Sequence, residues 1–342
     1  MQAVLKARPE PGFTLGDVPE PTPGAGEVLL RVAATSVCGT DVHLYDWNPW
    51  AQSRVHPPRV VGHEVSGEVV AWGDGVRSPA LGTRVAVESH IVCGHCEECR
   101  RGDFHVCENT KILGVDVDGA FASFMTLPVA NVWPVGASVP PEVAAAMEPF
   151  GNAVHACSYG DLTGRTVVVF GCGPIGCASI AVARVQGAER VIAVDRNDYR
   201  LALAERMGAH ALVRAGDAPA DDQIRAAAGG DIDCALEMSG SAVAVASATR
   251  VVRPGGWISL LGIGDEPDVI DLSNDVVMKG LSLYGVTGRK LPQTWERTTA
   301  YVRDGIIDVA ALITHHFAMS DVDAAIALMK SGQCGKVTLT PS

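Results

Sequence analysis

Residues 166–176 read TVVVFGCGPIG, and the fold class turns on them. Thr166 to Phe170 is an apolar, β-branched run of the kind that forms a strand buried on both faces. Gly171, Gly173 and Gly176 then fall in the pattern G-x-G-x-x-G, with Pro174 and Ile175 leading into a helix over Ile175–Gln186. In a strand–turn–helix context these glycines permit a tight turn and let the backbone approach a pyrophosphate at the helix N-terminus. The next strand, Arg190–Val194, runs into Asp195, nineteen residues beyond Gly176. An acid at about that distance accepts hydrogen bonds from the adenosine ribose hydroxyls and repels a 2′-phosphate, which favours NAD over NADP. Arg196 follows directly and weakens that preference. Asp195 can also cap the helix that starts near Asn197, a role compatible with ribose binding.

Outward from this unit the alternation continues. A helix is expected over Asn197–Met207, and strands over Ile232–Glu237, Trp257–Leu261 and Leu281–Val286. Strands alternating with helices imply a doubly wound parallel sheet. Past Gly288 the pattern gives way to helices at Trp295–Arg303 and Asp321–Met329 and a short strand at Lys336–Leu339. Before about Val143 the texture is different. Short apolar runs at Glu27–Ala33, Glu64–Ala71, Arg84–Glu88 and Ala120–Leu127 are separated by Gly, Pro and Asp, which reads as β-rich.

The chain has 342 residues, enough for two domains and a core stable without disulfides. Its 27 Lys and Arg against 39 Asp and Glu leave a net charge of −12, which repels nucleic acid and anionic membranes. The N-terminus has no apolar export signal, and no run reads as a membrane span, so a reducing cytoplasm is expected. There the ten cysteines need an explanation other than disulfides. Cys93, Cys96, Cys99 and Cys107 lie within fifteen residues, the spacing of a closed tetrahedral zinc site with no place for substrate. Cys38, His63 and Glu64 offer a second, open donor set, although spacing alone does not bring them together. Glu148 stands at the junction between the two textures.

Together these pieces resemble the zinc-dependent medium-chain alcohol dehydrogenases over essentially the whole chain. Gly62-His63-Glu64, the four-cysteine lobe, Gly171 to Gly176 and Asp195 carry the resemblance, in that order. Within the family, the stretches VCGTDVH (37–43), Tyr45-Asp46-Trp47 with Trp50, and PFGNAVH (149–155) are similar to the branch that oxidises L-threonine to 2-amino-3-oxobutanoate. Leu236 to Gly240, Gly288-Arg289 and Thr294-Trp295 add to it. The resemblance implies a β-rich GroES-like catalytic domain over 1–147 and 290–342, with a Rossmann NAD-binding domain inserted over 148–289. It implies a catalytic zinc on Cys38, His63 and Glu64, with Glu148 beside it exchanging with Glu64 or serving in proton relay. Thr40 and His43 match the relay, His90 a substrate contact, and Cys93, Cys96, Cys99 and Cys107 a structural zinc. Ile175, Asp195, Arg200, Leu261, Gly262, Ile263, Val286 and Thr287 match NAD contacts, beside Gly171, Gly173, Pro174 and Gly176 of the turn. A homotetramer acting on a small-molecule alcohol follows from the same source.

This sequence departs from the branch at Glu148, where Asp is usual, and at Thr287, where Tyr is usual. The loss of an aromatic wall at Thr287 leaves the substrate more open than the reaction. A polyol or 2,3-butanediol dehydrogenase on the same scaffold is one rival, an NADP-linked carbonyl reductase a second, and a non-catalytic zinc- and nucleotide-binding protein a third. Trp47 and Trp50 suit either a pocket wall or core packing. His315 and His316 read as surface residues, and Cys157, Cys172, Cys177, Cys234 and Cys334 as small apolar packing residues.

Overall fold

The computed structural model describes residues 1–216, 218–264 and 269–341. The described chain separates into two units, each with its own core. One comprises Met1–Glu148, Lys290–Asp304 and Ile313–Ser342, and the other Pro149–Arg289 and Gly305–Leu312. The segment 305–312 therefore goes with the nucleotide-type unit, not with the C-terminal return expected from 290 onward. Val309 and Leu312 are buried there, and their short turn packs on the helix Pro174–Val185.

The second unit is built on a six-stranded parallel sheet. Its order is Ala211–Arg214, Arg190–Asp195, Thr166–Phe170, Ile232–Glu237, Val252–Leu260, Ser282–Gly285. That is the doubly wound order 3-2-1-4-5-6. Thr166–Phe170 lies at the centre, which is why its Val167, Val168 and Val169 are fully buried. Ala211–Arg214, a short edge strand with alternating exposure, has no counterpart in the sequence reading, and the strand expected from Trp257 starts earlier, at Val252, running through Pro254-Gly255, which reads locally as a turn.

The first unit is β-rich. Its main sheet runs Val132–Pro134, Arg84–Val87, Glu64–Trp72, Glu27–Ser36, Lys336–Thr340, Ile313–Ala318, with Phe124–Pro128 also pairing Glu27–Ser36. The strand expected from Ala120 starts only at Phe124. Ala120 and Phe121 instead donate to the carbonyls of Gly62 and Val61, and Val4 donates to Phe121. A separate three-stranded sheet joins Thr14–Asp17, Gln2–Lys6 and Arg59–Val60. The late helix Gln293–Arg303 docks through Trp295, 1% exposed, which stacks on Trp133 and donates from Nε1 to Glu88 at 2.7 Å. No helix among the described residues is long and apolar enough to cross a membrane.

Candidate active site and metal centres

Gly62 has φ +89°, and a Cβ there would stand 2.1 Å from the Phe121 ring. Only glycine makes this turn, and it delivers His63 and Glu64 to the start of the strand Glu64–Trp72. Across the sheet Glu64 pairs directly with Ser36, and Ser36 with Thr338. Cys38 follows Ser36 by two residues and opens the helix Gly39–Asp46. The fold thus brings Cys38, His63 and Glu64 together, with one donor atom of each within 4.8 Å of the others.

Buried charge surrounds this trio. Asp41 is fully buried, and its Oδ2 accepts from the Cys38 N–H at 2.8 Å while Oδ1 has no hydrogen-bond partner. His63 Nδ1 is likewise buried without a hydrogen bond, 3.8 Å from Asp41 Oδ1. Burial disfavours an imidazolium at His63, but Cys38, Asp41 and Glu148 outweigh it and push the pKa up to about 10. Burial likewise pushes Asp41 up to about 6 despite His63. The pocket therefore calls for positive charge. A divalent cation held by Cys38 and His63 would meet that demand, with Asp41 beside the imidazole as in carboxylate–histidine–metal arrangements. The donor set of thiolate, imidazole and carboxylate is one that zinc accepts.

Lys336 was not read from the sequence as a site residue. Its side chain is 4% exposed, and Nζ donates to Glu64 Oε1 at 2.7 Å and to the Val37 carbonyl at 2.9 Å. Burial opposes its charge, but Glu64 and Cys38 hold its pKa above the ordinary lysine value. Ser36 Oγ donates to the other oxygen of Glu64. Glu64 is thus shared between Lys336 and the metal donors. The one signal in the sequence is a lysine at the head of the uncharged run VTLT, 272 residues from its partner.

Glu148 lies outside the trio. It is 4% exposed at the start of the helix Met147–Ala156, and it accepts from Ser89 Oγ at 2.5 Å. Thr40 Oγ1 is 3.7 Å from Cys38 Sγ, and His43 lies one turn further along the same helix. His43 Nδ1 faces Asn48 Nδ2 at 2.9 Å. Trp47 packs into the core with Lys6 Nζ 5.1 Å from its ring, whereas Trp50 stands half exposed near His43. His90 is half-buried, bonded through its backbone to Glu88 and Asn131.

The four-cysteine lobe meets a sharper geometric test. Four thiolates about 2.3 Å from a tetrahedral zinc stand about 3.8 Å apart. Cys96 and Cys107 Sγ are 3.8 Å apart, and Cys107 and Cys93 Sγ 3.7 Å. All ten cysteines are free. Backbone N–H groups of Cys93 and Cys96 point at Cys107 and Cys93 sulfurs, as a charged thiolate requires. Hydrogen bonding from His95 is the largest of the effects that pull Cys93 down to about 6. The five other cysteines are buried, and burial pushes Cys157 and Cys177 up to about 12, the behaviour of inert packing thiols.

In the second unit the glycine turn explains itself position by position. Gly171 has φ +85° and presses on Ser239, while a Cβ on Gly176 would stand 1.8 Å from the Gly171 carbonyl. A Cβ on Gly173 would meet nothing within 4 Å. It faces a cavity of about 540 Å³ lined by Gly171, Gly173, Asp195, Arg196, Arg200 and Ser239 among others. The open space at Gly173 fits a pyrophosphate against the helix N-terminus. Asp195 is held by N–H groups of Cys172 and Asn197 at 2.6 and 2.8 Å. Pro174, Ile175 and Gly176 form the helix start beside the cavity rather than its lining. Leu261, Gly262 and Ile263 follow the strand Val252–Leu260, and Val286 and Thr287 follow Ser282–Gly285. These also lie outside that cavity, at the carboxyl edge of the sheet where ligands bind in such folds.

The geometry defines a class, and sequence comparison agrees with it. Residues 24–137 match the family model of the alcohol dehydrogenase GroES-like domain, and residues 174–303 that of the zinc-binding dehydrogenases. The chain belongs to the zinc-dependent medium-chain alcohol dehydrogenases. Among its relatives is the L-threonine 3-dehydrogenase of Symbiobacterium thermophilum, 46% identical over 343 residues, spanning 100% of this chain and 98% of that one. An Escherichia coli alcohol dehydrogenase solved with NADH is 31% identical with a TM-score of 0.91 over 99% of each chain. The 2R,3R-butanediol dehydrogenase of Bacillus subtilis is 26% identical with a TM-score of 0.89, over 100% of this chain and 99% of that one.

Proposed function

We propose that this protein is an NAD-dependent L-threonine 3-dehydrogenase, oxidising the secondary alcohol of L-threonine to 2-amino-3-oxobutanoate. The observation that carries the reading is the full-length identity of 46% to an enzyme of that name, on a chain that converges Cys38, His63 and Glu64. Cys38, His63 and Glu64, with Glu148 near them, hold the catalytic metal. Cys93, Cys96, Cys99 and Cys107 hold a structural one, which makes two zinc ions per chain. Bound zinc supplies a Lewis acid that acidifies the substrate hydroxyl, and bound NAD takes the hydride.

The chain's own residues manage the proton and the charge. Thr40 Oγ1 both accepts and donates, so it passes the hydroxyl proton onward. His43, one turn further along the helix, releases it to solvent. Asp41 orients His63, and Lys336 with Ser36 fixes Glu64. Gly171 to Gly176 cradle the pyrophosphate, Asp195 takes the ribose hydroxyls, and Arg200, Leu261 to Ile263, Val286 and Thr287 complete the dinucleotide contacts. His90 is assigned to the substrate. The same reading carries assembly as a homotetramer in the cytoplasm, in keeping with ten free cysteines.

An NAD-linked panel of L-threonine, 2,3-butanediol and sorbitol tests the proposal. L-threonine is expected to give the highest kcat/KM. A higher value for butanediol or sorbitol would assign the scaffold to the rival substrate class.

A further inference from the structure

The stretch PFGNAVH and the pair Gly288-Arg289 stand apart in the sequence, and the metal chemistry uses neither. The structure joins them. Asn152 and His155 lie three residues apart on one face of the helix Met147–Ala156. His155 is fully buried, and its Nδ1 is 2.8 Å from the Gly288 carbonyl. A carbonyl only accepts, so Nδ1 carries a proton, and in the neutral ring Nε2 then keeps its lone pair. That lone pair receives the Tyr284 hydroxyl at 2.8 Å. Arg289, 2% exposed, donates from Nη1 to Asn152 Oδ1 at 3.1 Å.

Two of these bonds reach one turn, residues 286–289, and the third holds Tyr284 in the strand Ser282–Gly285 that leads into it. At its start the Val286 N–H donates to the Leu260 carbonyl at 2.8 Å. Gly288 has φ +54°, the left-handed conformation that glycine adopts at no steric cost. Val286 is buried and Thr287 is exposed. The turn is thus tethered before and after Thr287, which it presents outward at the carboxyl edge of the sheet. A buried imidazole and guanidinium are a costly way to fill space, since apolar side chains do so without desolvation. What a polar network adds is a fixed direction for each backbone group it holds.

We propose that Asn152, His155, Tyr284 and Arg289 are positioning residues, a clamp that sets the Val286–Thr287 turn for the nicotinamide half of the dinucleotide. The inference rests on the NAD-dehydrogenase reading and deepens it.

Two variants test it in the zinc-loaded protein. Y284F keeps the ring against Tyr159, whose centroid is 4.8 Å away, and removes only the hydroxyl. H155L leaves the Gly288 carbonyl and the Tyr284 hydroxyl without their partner, while H155Q can donate to one and accept from the other. NADH and NADPH are titrated by fluorescence, amide hydrogen exchange is followed over 286–289, and KM is measured for NAD and for L-threonine. Y284F is expected to weaken NADH binding about 5-fold, the loss of one hydrogen bond, and H155L more. H155Q recovers part of the loss. Exchange at 286–289 quickens, and KM rises for NAD and not for L-threonine. Faster exchange with wild-type NADH affinity would overturn the clamp as a cofactor device and leave the dehydrogenase reading intact. Binding of neither dinucleotide by the wild type would overturn that reading and the clamp with it.

Discussion

The molecule holds two sets of metal donors built in opposite ways. Cys93, Cys96, Cys99 and Cys107 are four donors of one kind from one loop-rich stretch, and backbone N–H groups stabilise their sulfurs. Cys38, His63 and Glu64 are three kinds of donor, with Cys38 twenty-five residues ahead of His63, and their surroundings are buried charges: Asp41, Glu148 and Lys336. The first set is complete in itself and closed. The second, in the proposed function, would leave a coordination place open, with the charges around it aiming each donor. A closed site needs only its ligands, whereas an open one needs a supporting shell drawn from distant parts of the chain.

The largest effect that separates them is expected at Cys38. Cys38→Ser should lower kcat by on the order of 10³- to 10⁴-fold, the several kcal/mol that metal polarisation supplies, with NADH binding and melting temperature nearly unchanged. Turnover like the wild type would remove Cys38 from the reaction. Cys107→Ser should do the reverse. Loss of a structural metal costs about 4 kcal/mol of stability, so the melting temperature and zinc per chain fall together. The activity of each molecule that stays folded is retained. If Cys107→Ser keeps its zinc and its melting temperature, the lobe is not a metal site.

What the sequence made legible follows the same division. The four-cysteine group is local, so its spacing alone suggests that the four sulfurs meet, as they do. The central strand Thr166–Phe170 and its glycine turn were equally local, and both appear at the expected residues. The open site was legible only in its donors. The partners of Ser36 and Lys336 are brought in by sheet pairing, not by proximity along the chain, and Asp41, which bonds locally to the Cys38 N–H, meets His63 only in the folded structure. Lys336 meets Glu64 because Lys336–Thr340 pairs with Glu27–Ser36, which pairs with Glu64–Trp72. Tertiary register of that kind leaves no motif. The segment 305–312 groups with the other unit for the same reason, since its burial depends on a helix far away in sequence.

Lys336 gives the next prediction in size. Lys336→Met keeps most of the volume and removes the charge facing Glu64. Breaking one partner of a buried pair costs about 3 kcal/mol or more, because the remaining carboxylate is left uncompensated. Loaded metal would then supply positive charge beside Glu64 in place of the lysine. The stability loss, read by urea unfolding, should therefore be larger in the chelator-treated protein than in the zinc-loaded one. Equal losses in both would mean that Glu64 does not share its charge with the metal donors.

The smallest effect on stability is expected at Gly173, and it carries the open–closed contrast into the second unit. Gly176 is a closed position, where a Cβ would strike the Gly171 carbonyl, so Gly176→Ala should unfold or distort the turn. Gly173 has φ −64° and ψ −179°, which alanine adopts freely, and among the described residues nothing beyond its own chain neighbours lies within 4 Å of its would-be Cβ. Gly173→Ala should therefore leave stability within about 0.5 kcal/mol of the wild type, and can raise it slightly through the unfolded state. Its methyl group would stand in the space assigned to the pyrophosphate, so NADH affinity should fall about 10-fold, a misfit of roughly 1.4 kcal/mol. A Gly173→Ala protein that melts normally and binds NADH normally would show that this space is not where the phosphates sit. A glycine there would then have no physical reason in the fold, because the backbone does not need one.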